Sequence, residues 1–245
     1  MVETDTQCKN CDARLAGSYC SNCGQKDLDL GRPFGELVAD IARETFDLDG
    51  RAWRTLKTLF RHPGLLTSEF LAGKRRSYTP PLRLYLFISV TFFILMAWVA
   101  SQGVLLEPGQ TPGADADIQA RFLAEDLPRL MFVLLPAFAL LLKILLHSRL
   151  YFDHLIFSVH LHSAAYVVLM FMVPIENVAG TFRPALFAQL LLFAYLGVYM
   201  VLALRRVYTT TWWGAGLRTV VILFAYMVLV STLIEGTSSF QIISD

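Results

Sequence analysis

Residues 82–106 read LRLYLFISVTFFILMAWVASQGVLL, with Arg83 near the start and no other charge along the run. A helix needs about 20 apolar residues to cross a hydrocarbon core of about 30 Å, because every backbone amide must find its partner inside its own segment. This run meets that need. So do the stretches at about Leu130–Leu146, Leu155–Ile175, Ala185–Leu204 and Ala215–Ile234. Pro136 removes one internal hydrogen bond from the second stretch and is expected to bend it, which a membrane span tolerates where neighbouring helices cover the freed carbonyl. Five such segments within 245 residues make a water-soluble bundle of buried helices a poor alternative. The expected fold class is an all-α membrane protein of about five transmembrane helices.

Composition points the same way. The mean hydropathy is +0.51, 55% of residues are hydrophobic and 17% are charged, which lies outside the range of soluble domains. The apolar residues are concentrated after about residue 80, and the polar first part holds all four cysteines. Met1–Asp12 contains no apolar core of a secretory signal, so the first part is expected to stay in the compartment of synthesis.

Orientation follows from the placement of Lys and Arg. Lys74, Arg75 and Arg76 precede the first span and Arg83 lies at its mouth. Lys143 and Arg149 flank the turn between spans two and three, and Arg205, Arg206 and Arg218 flank the one between spans four and five. The opposite loops are acidic or nearly uncharged: Glu107, Asp115, Asp117, Glu125 and Asp126 against Arg121 and Arg129, then Arg183 alone among the cations of residues 176–184. The N-terminus is therefore expected in the cytosol and the C-terminus outside. Tyr78, Tyr85, Tyr151, Tyr208, Trp212 and Trp213 fall near the cationic ends, where an interfacial aromatic belt is expected.

The cysteines are Cys8, Cys11, Cys20 and Cys23, two C-x2-C pairs eight residues apart. Two such pairs build two tight knuckles whose thiolates converge on one tetrahedral ion, and structural Zn²⁺ is the expected occupant. Iron in a rubredoxin-like site and a redox dithiol are the alternatives. Gly24 after the second pair suits a positive-φ turn, and Asp12 at the matching place of the first pair tolerates one. A closed four-cysteine site leaves no open coordination position, which makes it a folding element rather than a catalyst. Metal is needed because the apolar residues here are few, namely Leu15, Tyr19, Leu28 and Leu30. Lys9, Arg14 and Lys26 are offset by Asp12, Asp27 and Asp29, so there is no basic stripe for nucleic acid.

Between this module and the first span, Phe34, Leu37, Val38, Ile41 and Phe46 recur at helical spacing. A second run places Trp53, Leu56, Leu59 and Phe60 among Arg51, Arg54, Lys57 and Arg61. His62-Pro63-Gly64 interrupts it, and Leu65, Leu66, Phe70 and Leu71 continue the apolar face. Such basic amphipathic helices either lie in the membrane interface or pack on the bundle, and the two are compatible. Lys74, Arg75, Arg76 and Tyr78 are candidates for contact with anionic lipid at the headgroup level. The expected organisation is a zinc-ribbon-like module at 1–30, amphipathic juxtamembrane helices at 31–80 and a five-helix transmembrane domain at 81–245.

The string C-x2-C, C-x2-C-G-Q, the segment Gly73-Lys74-Arg75-x-x-Tyr78-x-x-Pro81-x-x-x-Tyr85, and Tyr151-x-x-His154-x-x-Phe157-x-x-x-x-His162 together resemble the DUF3667 family of bacterial membrane proteins. Tyr199–Tyr208, with Arg205-Arg206 inside, is similar to it too. The resemblance implies a bacterial cytoplasmic-membrane protein with a cytosolic zinc ribbon, and no reaction, substrate or partner.

Asp153, His154, His160 and His162 in the third span form a candidate intramembrane polar site, since ionisable groups at such depth are costly. At about 100° per residue, His154 and His162 lie about 80° apart and His160 at least about 120° from both. One helix alone does not converge them, and the other spans offer no mid-helix Asp, Glu or His. Hydrogen bonding to neighbouring helices is the simpler expectation. No nucleophile elbow, phosphate loop or paired catalytic carboxylates occurs, which argues against an enzyme. The function expected is a non-catalytic adaptor or regulator with lipid and a membrane or cytosolic protein as partners. The alternative is a membrane-embedded metal-dependent enzyme or transporter using the third-span residues.

Overall fold

The computed structural model describes residues 7–26, 51–102, 120–179 and 183–244, with side chains placed up to Met172 and again over 185–233. The amphipathic run at Phe34–Phe46 and the acidic Glu107, Asp115 and Asp117 lie outside the described residues. The helices are α1 (Arg51–Arg61), α2 (Leu65–Leu71), α3 (Pro81–Ser101), α4 (Leu127–Leu145), α5 (Tyr151–Ala179), α6 (Arg183–Tyr208) and α7 (Trp212–Ser244), and a π-helical turn at Phe122–Asp126 leads into α4. No β-strand is present among the described residues, only two isolated bridges in the cysteine module.

α3 to α7 include five segments long and apolar enough to span a membrane: Pro81–Ser101, Phe122–Leu145, Tyr151–Met172, Ala185–Tyr208 and Trp212–Leu233. The expected fold class, a multi-pass all-α membrane protein, is borne out. Helix limits differ from the apolar runs by a few residues, because hydrogen bonding continues into polar flanks. α5 begins at Tyr151, four residues before its apolar run.

Polar and apolar faces are arranged for lipid. Phe87, Val90, Ile94 and Trp98 recur three or four residues apart on the exposed side of α3, while Leu84, Tyr85, Ile88 and Phe92 are buried. Water would leave the first set as a large unpartnered patch, whereas lipid solvates it. The buried polar residues include Ser89, His154, Ser158, His160, His162, Ser163 and Thr219, all turned between helices. Interhelical hydrogen bonds and close packing, rather than exclusion of water, hold such bundles together.

α5 is the hub. It packs against α3, α4 and α6, while α7 rests on α6 and α4. In its apolar window 61% of α5 is buried, against 11% for α7. Pro136 sits inside α4, and α5 supplies donors to the carbonyls around it. Ser158 Oγ donates to Leu135 O at 3.1 Å, and Tyr151 donates through its OH to Pro136 O at 3.2 Å.

The juxtamembrane helices fold onto this bundle. α1 buries Thr55 and Leu59 and leaves Trp53 exposed, so one face packs on the bundle while the other is exposed. The turn after α1 presses on α6. Gly64 has φ 77°, and a Cβ there would meet Ala203 O at 2.9 Å, so the close approach and the positive φ both require glycine. Tyr195 OH and Arg206 Nη1 on α6 donate to Phe60 O at 3.2 Å and Pro63 O at 2.7 Å. α2 closes with the paired bonds of a Schellman motif, Lys74 N–H to Glu69 O at 2.9 Å and Gly73 N–H to Phe70 O at 3.0 Å, with Gly73 at φ 87°. Pro80 and Pro81 then start α3, Pro81 standing where a missing N–H costs nothing.

The aromatic belt expected at the cationic ends is only partly formed. Trp212 and Trp213 are exposed, but Tyr85 and Tyr208 are buried within the bundle. Each lies on the side of its helix that faces neighbours, a choice that distance along the chain does not determine.

Candidate metal centre and its latch

Two knuckles of the same geometry hold the four sulfurs. In the first, Cys8 N–H donates to Ala13 O and Asp12 N–H to Cys8 O; in the second, Cys20 N–H donates to Gln25 O and Gly24 N–H to Cys20 O, all four at 2.8 Å. Each knuckle turns through a left-handed residue, Asp12 at φ 58° and Gly24 at φ 69°. Each closes on a bridge, Gln7 with Arg14 and Tyr19 with Lys26. The motif thus repeats every twelve residues as C-x-N-C, with Asn10 and Asn22 at equivalent positions.

The four Sγ atoms all lie within 4.8 Å of one another. Cys8 to Cys23 and Cys11 to Cys20 are each 3.6 Å. Thiolates about 2.3 Å from a tetrahedral centre stand about 3.8 Å apart, so the residues fit one ion bound by four sulfurs. Cys8 and Cys20 are buried, and Cys11 and Cys23 are half-buried. The backbone N–H groups of Cys23 and Asn22 point at the Cys20 sulfur and lower its pKa to about 6, whereas burial pushes Cys23 up to about 11, with the neighbouring thiols adding to the rise. Four thiolates at this separation repel one another, and a cation between them removes the conflict. Among the described residues this is the only group of three or more Cys, His, Asp or Glu close enough to share an ion.

The module is fastened to the turn between α2 and α3. Gln25 donates through Nε2 to Gly73 O at 2.7 Å, while its Oε1 accepts from the N–H of Arg75 at 3.0 Å and of Arg76 at 3.2 Å. One side-chain amide therefore satisfies a carbonyl and two N–H groups of a turn that has no ladder of its own. Asn10 of the first knuckle accepts from Ser77 Oγ at 3.0 Å. Lys9 lies along Gly73 so closely that a Cβ there would stand 2.8 Å from Lys9 Cδ. Gln25 enters the sequence reading only as the last residue of the C-x2-C-G-Q string and Asn10 not at all, because their partners are about fifty and 67 residues away.

The candidate lipid residues differ in how far they are engaged: Lys74 and Arg76 are exposed, and Arg75 and Tyr78 are half-buried. Lys74 Nζ lies 3.2 Å from Glu69 Oε2, and the Arg75 guanidinium sits 4.9 Å over the Phe70 ring. Arg76 O accepts from Arg51 Nη1 at 2.9 Å, and Tyr78 packs half-buried against the core.

The third-span residues turn to different neighbours. His154 Nδ1 is 2.7 Å from Tyr208 OH on α6, with the two rings stacked at 5.5 Å. His160 Nδ1 is 3.0 Å from Thr67 Oγ1 on α2. His162 Nδ1 lies 2.8 Å from Ser158 O, and its Nε2 lies 2.9 Å from Tyr226 OH on α7. Asp153 faces Arg149 at 3.9 Å. Each imidazole ties α5 to a separate element, and no shared point lies between them. Beside His162, Tyr166 stacks on Phe92 at 5.0 Å and meets Tyr85 at 6.0 Å. The phenolic oxygens of Tyr85 and Tyr166 are buried without a hydrogen-bond partner among the described residues. Tyrosines within apolar runs are the signal that would have drawn attention to this cluster.

No curated protein and no solved structure matches the chain. One family model does, over residues 49–93, which include α1, α2, the turn held by Gln25 and the first half of α3. That segment matches the family described as Protein of unknown function (DUF3667), and of the motif strings that suggested the resemblance it includes the one from Gly73 to Tyr85.

Proposed function

We propose that this chain is a non-catalytic membrane adaptor or regulator whose four cysteines hold a structural Zn²⁺ at the cytosolic face of a bacterial cytoplasmic membrane. The observation that supports this most is the latch. The metal-binding module is fixed by Gln25 and Asn10 to the turn that leads into the first span. A closed four-sulfur set offers no position for substrate and fits a folding role. The outward side of the module, including Arg14 and the exposed Tyr19, remains free for a protein partner. In this reading residues 1–30 form the metal module, 31–80 the juxtamembrane connection and 81–245 the transmembrane domain. The cationic flanks support an inward N-terminus and an outward C-terminus, and a reducing cytosol keeps the thiols available to zinc.

The test is cross-linked affinity capture of the full chain from detergent, comparing wild type with Cys8→Ser/Cys20→Ser. The proposal expects at least one protein partner that depends on the metal module. An identical set of associated proteins from both forms would remove the adaptor reading. Metal analysis of these two forms and of His162→Ala separates the enzyme or transporter alternative, which requires a second metal present in wild type and lost in His162→Ala.

A further inference from the structure

Where the end of α6 meets the turn after α1, Arg61, Pro63, Leu202, Arg205 and Arg206 line an open cleft of about 330 Å³. Three guanidinium groups share it, and no carboxylate among the described residues lines it. Two of the three are held in place. Arg206 Nη1 donates to Pro63 O at 2.7 Å, and the Arg205 guanidinium lies 3.7 Å over the Trp212 ring with its Nε buried and unpartnered among the described residues. Arg61 projects from the last turn of α1 and is exposed.

The cleft continues into a lipid-facing stripe. Phe187, Leu191, Ala194 and Val198 are exposed on α6 at three- and four-residue spacing, and Leu202 and Arg205 extend the same stripe. An acyl chain along that stripe would bring a headgroup to the arginines. Guanidinium groups bind phosphate oxygens through parallel N–H bonds, and ones already oriented lose little freedom on doing so. The turn at Lys74–Arg76 is a weaker candidate, since Glu69 neutralises Lys74 and Gln25 occupies the backbone donors.

We propose that Arg61, Arg205 and Arg206 form a binding site for the phosphate headgroup of an anionic phospholipid, its acyl chain lying along α6. The inference is independent of the adaptor reading, because it uses neither the cysteines nor a protein partner.

The test uses the full chain in detergent with phosphatidylglycerol, phosphatidylcholine or inorganic phosphate as probes, and counts retained lipid by native mass spectrometry. Phosphatidylglycerol is expected to be retained over phosphatidylcholine, and excess inorganic phosphate is expected to displace it poorly. Arg61→Gln/Arg205→Gln should weaken that preference roughly tenfold or more. Arg61→Lys/Arg205→Lys should keep most of it, and Arg218→Gln, which removes an exposed cation from α7, should leave it unchanged. Helical content and monodispersity confirm folding, and the single Arg61→Gln change, at an exposed position, gives the same direction if the double variant fails to fold. Equal retention of both lipids, or an undiminished preference in folded Arg61→Gln and the double variant, would overturn the proposal. Displacement by inorganic phosphate at concentrations equal to the lipid would overturn the lipid assignment.

Discussion

Gln25 makes three hydrogen bonds to a turn about fifty residues away, and none of its own neighbours in sequence forecasts them. Each is worth about 1 kcal/mol net, so Gln25→Ala should cost roughly 1–3 kcal/mol of docking free energy. The Arg75 and Arg76 amides should then exchange hydrogen faster, and unchanged protection would show that the latch does not hold the module. Two glycines separate backbone from side-chain obstruction. Both take positive φ, which costs an alanine about 1–2 kcal/mol. At Gly64 the added methyl also meets the Ala203 backbone, while at Gly73 it meets a lysine stem that can move. Gly64→Ala should therefore lower the unfolding midpoint in detergent further than Gly73→Ala, and the reverse order would contradict the packing of the α1–α2 turn on α6. The thiols set the pH response. With Cys20 lowered to about 6 and Cys23 raised to about 11, metal binding at neutral pH must expel the Cys23 proton, and below about pH 6 the Cys20 proton as well. Affinity is thus expected to fall roughly tenfold per pH unit for each thiol still protonated, steepening as pH drops below 6. Competition with a chelator across pH 5–8 measures it, and a flat profile would argue against thiolate ligation. At this scale the sequence was informative where chemistry is local. The grouping of the four cysteines and the turns at Asp12 and Gly24 follow from spacing, but Gln25, Asn10 and Thr67 gain their roles only through distant partners.

The helices were legible as elements because each apolar run falls within the range of lengths that can span, whatever its neighbours. Their ends were less so: α5 starts at Tyr151 and α6 ends at Tyr208, where polar residues continue the hydrogen bonding. Facing was not legible either, since Tyr85 and Tyr208 turn inward although their positions fit an interfacial belt. The polar side chains of α5 show why. His154, His160 and His162 each meet a hydroxyl from a different element, so the expense of burying them is offset by interhelical bonds. Intramembrane hydrogen bonds average about 0.6 kcal/mol, and an orphaned acceptor adds to the loss. Tyr226→Phe and Tyr208→Phe should each destabilise the bundle by about 1 kcal/mol in a denaturing-detergent titration. Ser101→Ala, whose exposed hydroxyl bonds only Trp98 O and the adjacent Gln102 side chain among the described residues, should change little. Equal effects at all three positions would mean that the buried pairs do not hold the helices together.

For the whole molecule, an apolar exterior follows from lipid as solvent and could be foreseen from hydropathy, while the interior is a mainly apolar core with a few polar side chains paired between helices. The order in which helices pack could not be foreseen, because α5 becomes the hub through contacts with α3, α4 and α6 that no periodicity encodes. The central claim joins the two parts: a five-helix membrane bundle to which a metal-loaded four-cysteine module is latched. The most direct test is the zinc-to-protein ratio of the full chain extracted by detergent from carbonate-washed membranes. One zinc per chain in wild type, and none in Cys20→Ser recovered from the same membranes, is the predicted result. Metal-free wild type, or zinc retained in full by Cys20→Ser, would contradict it.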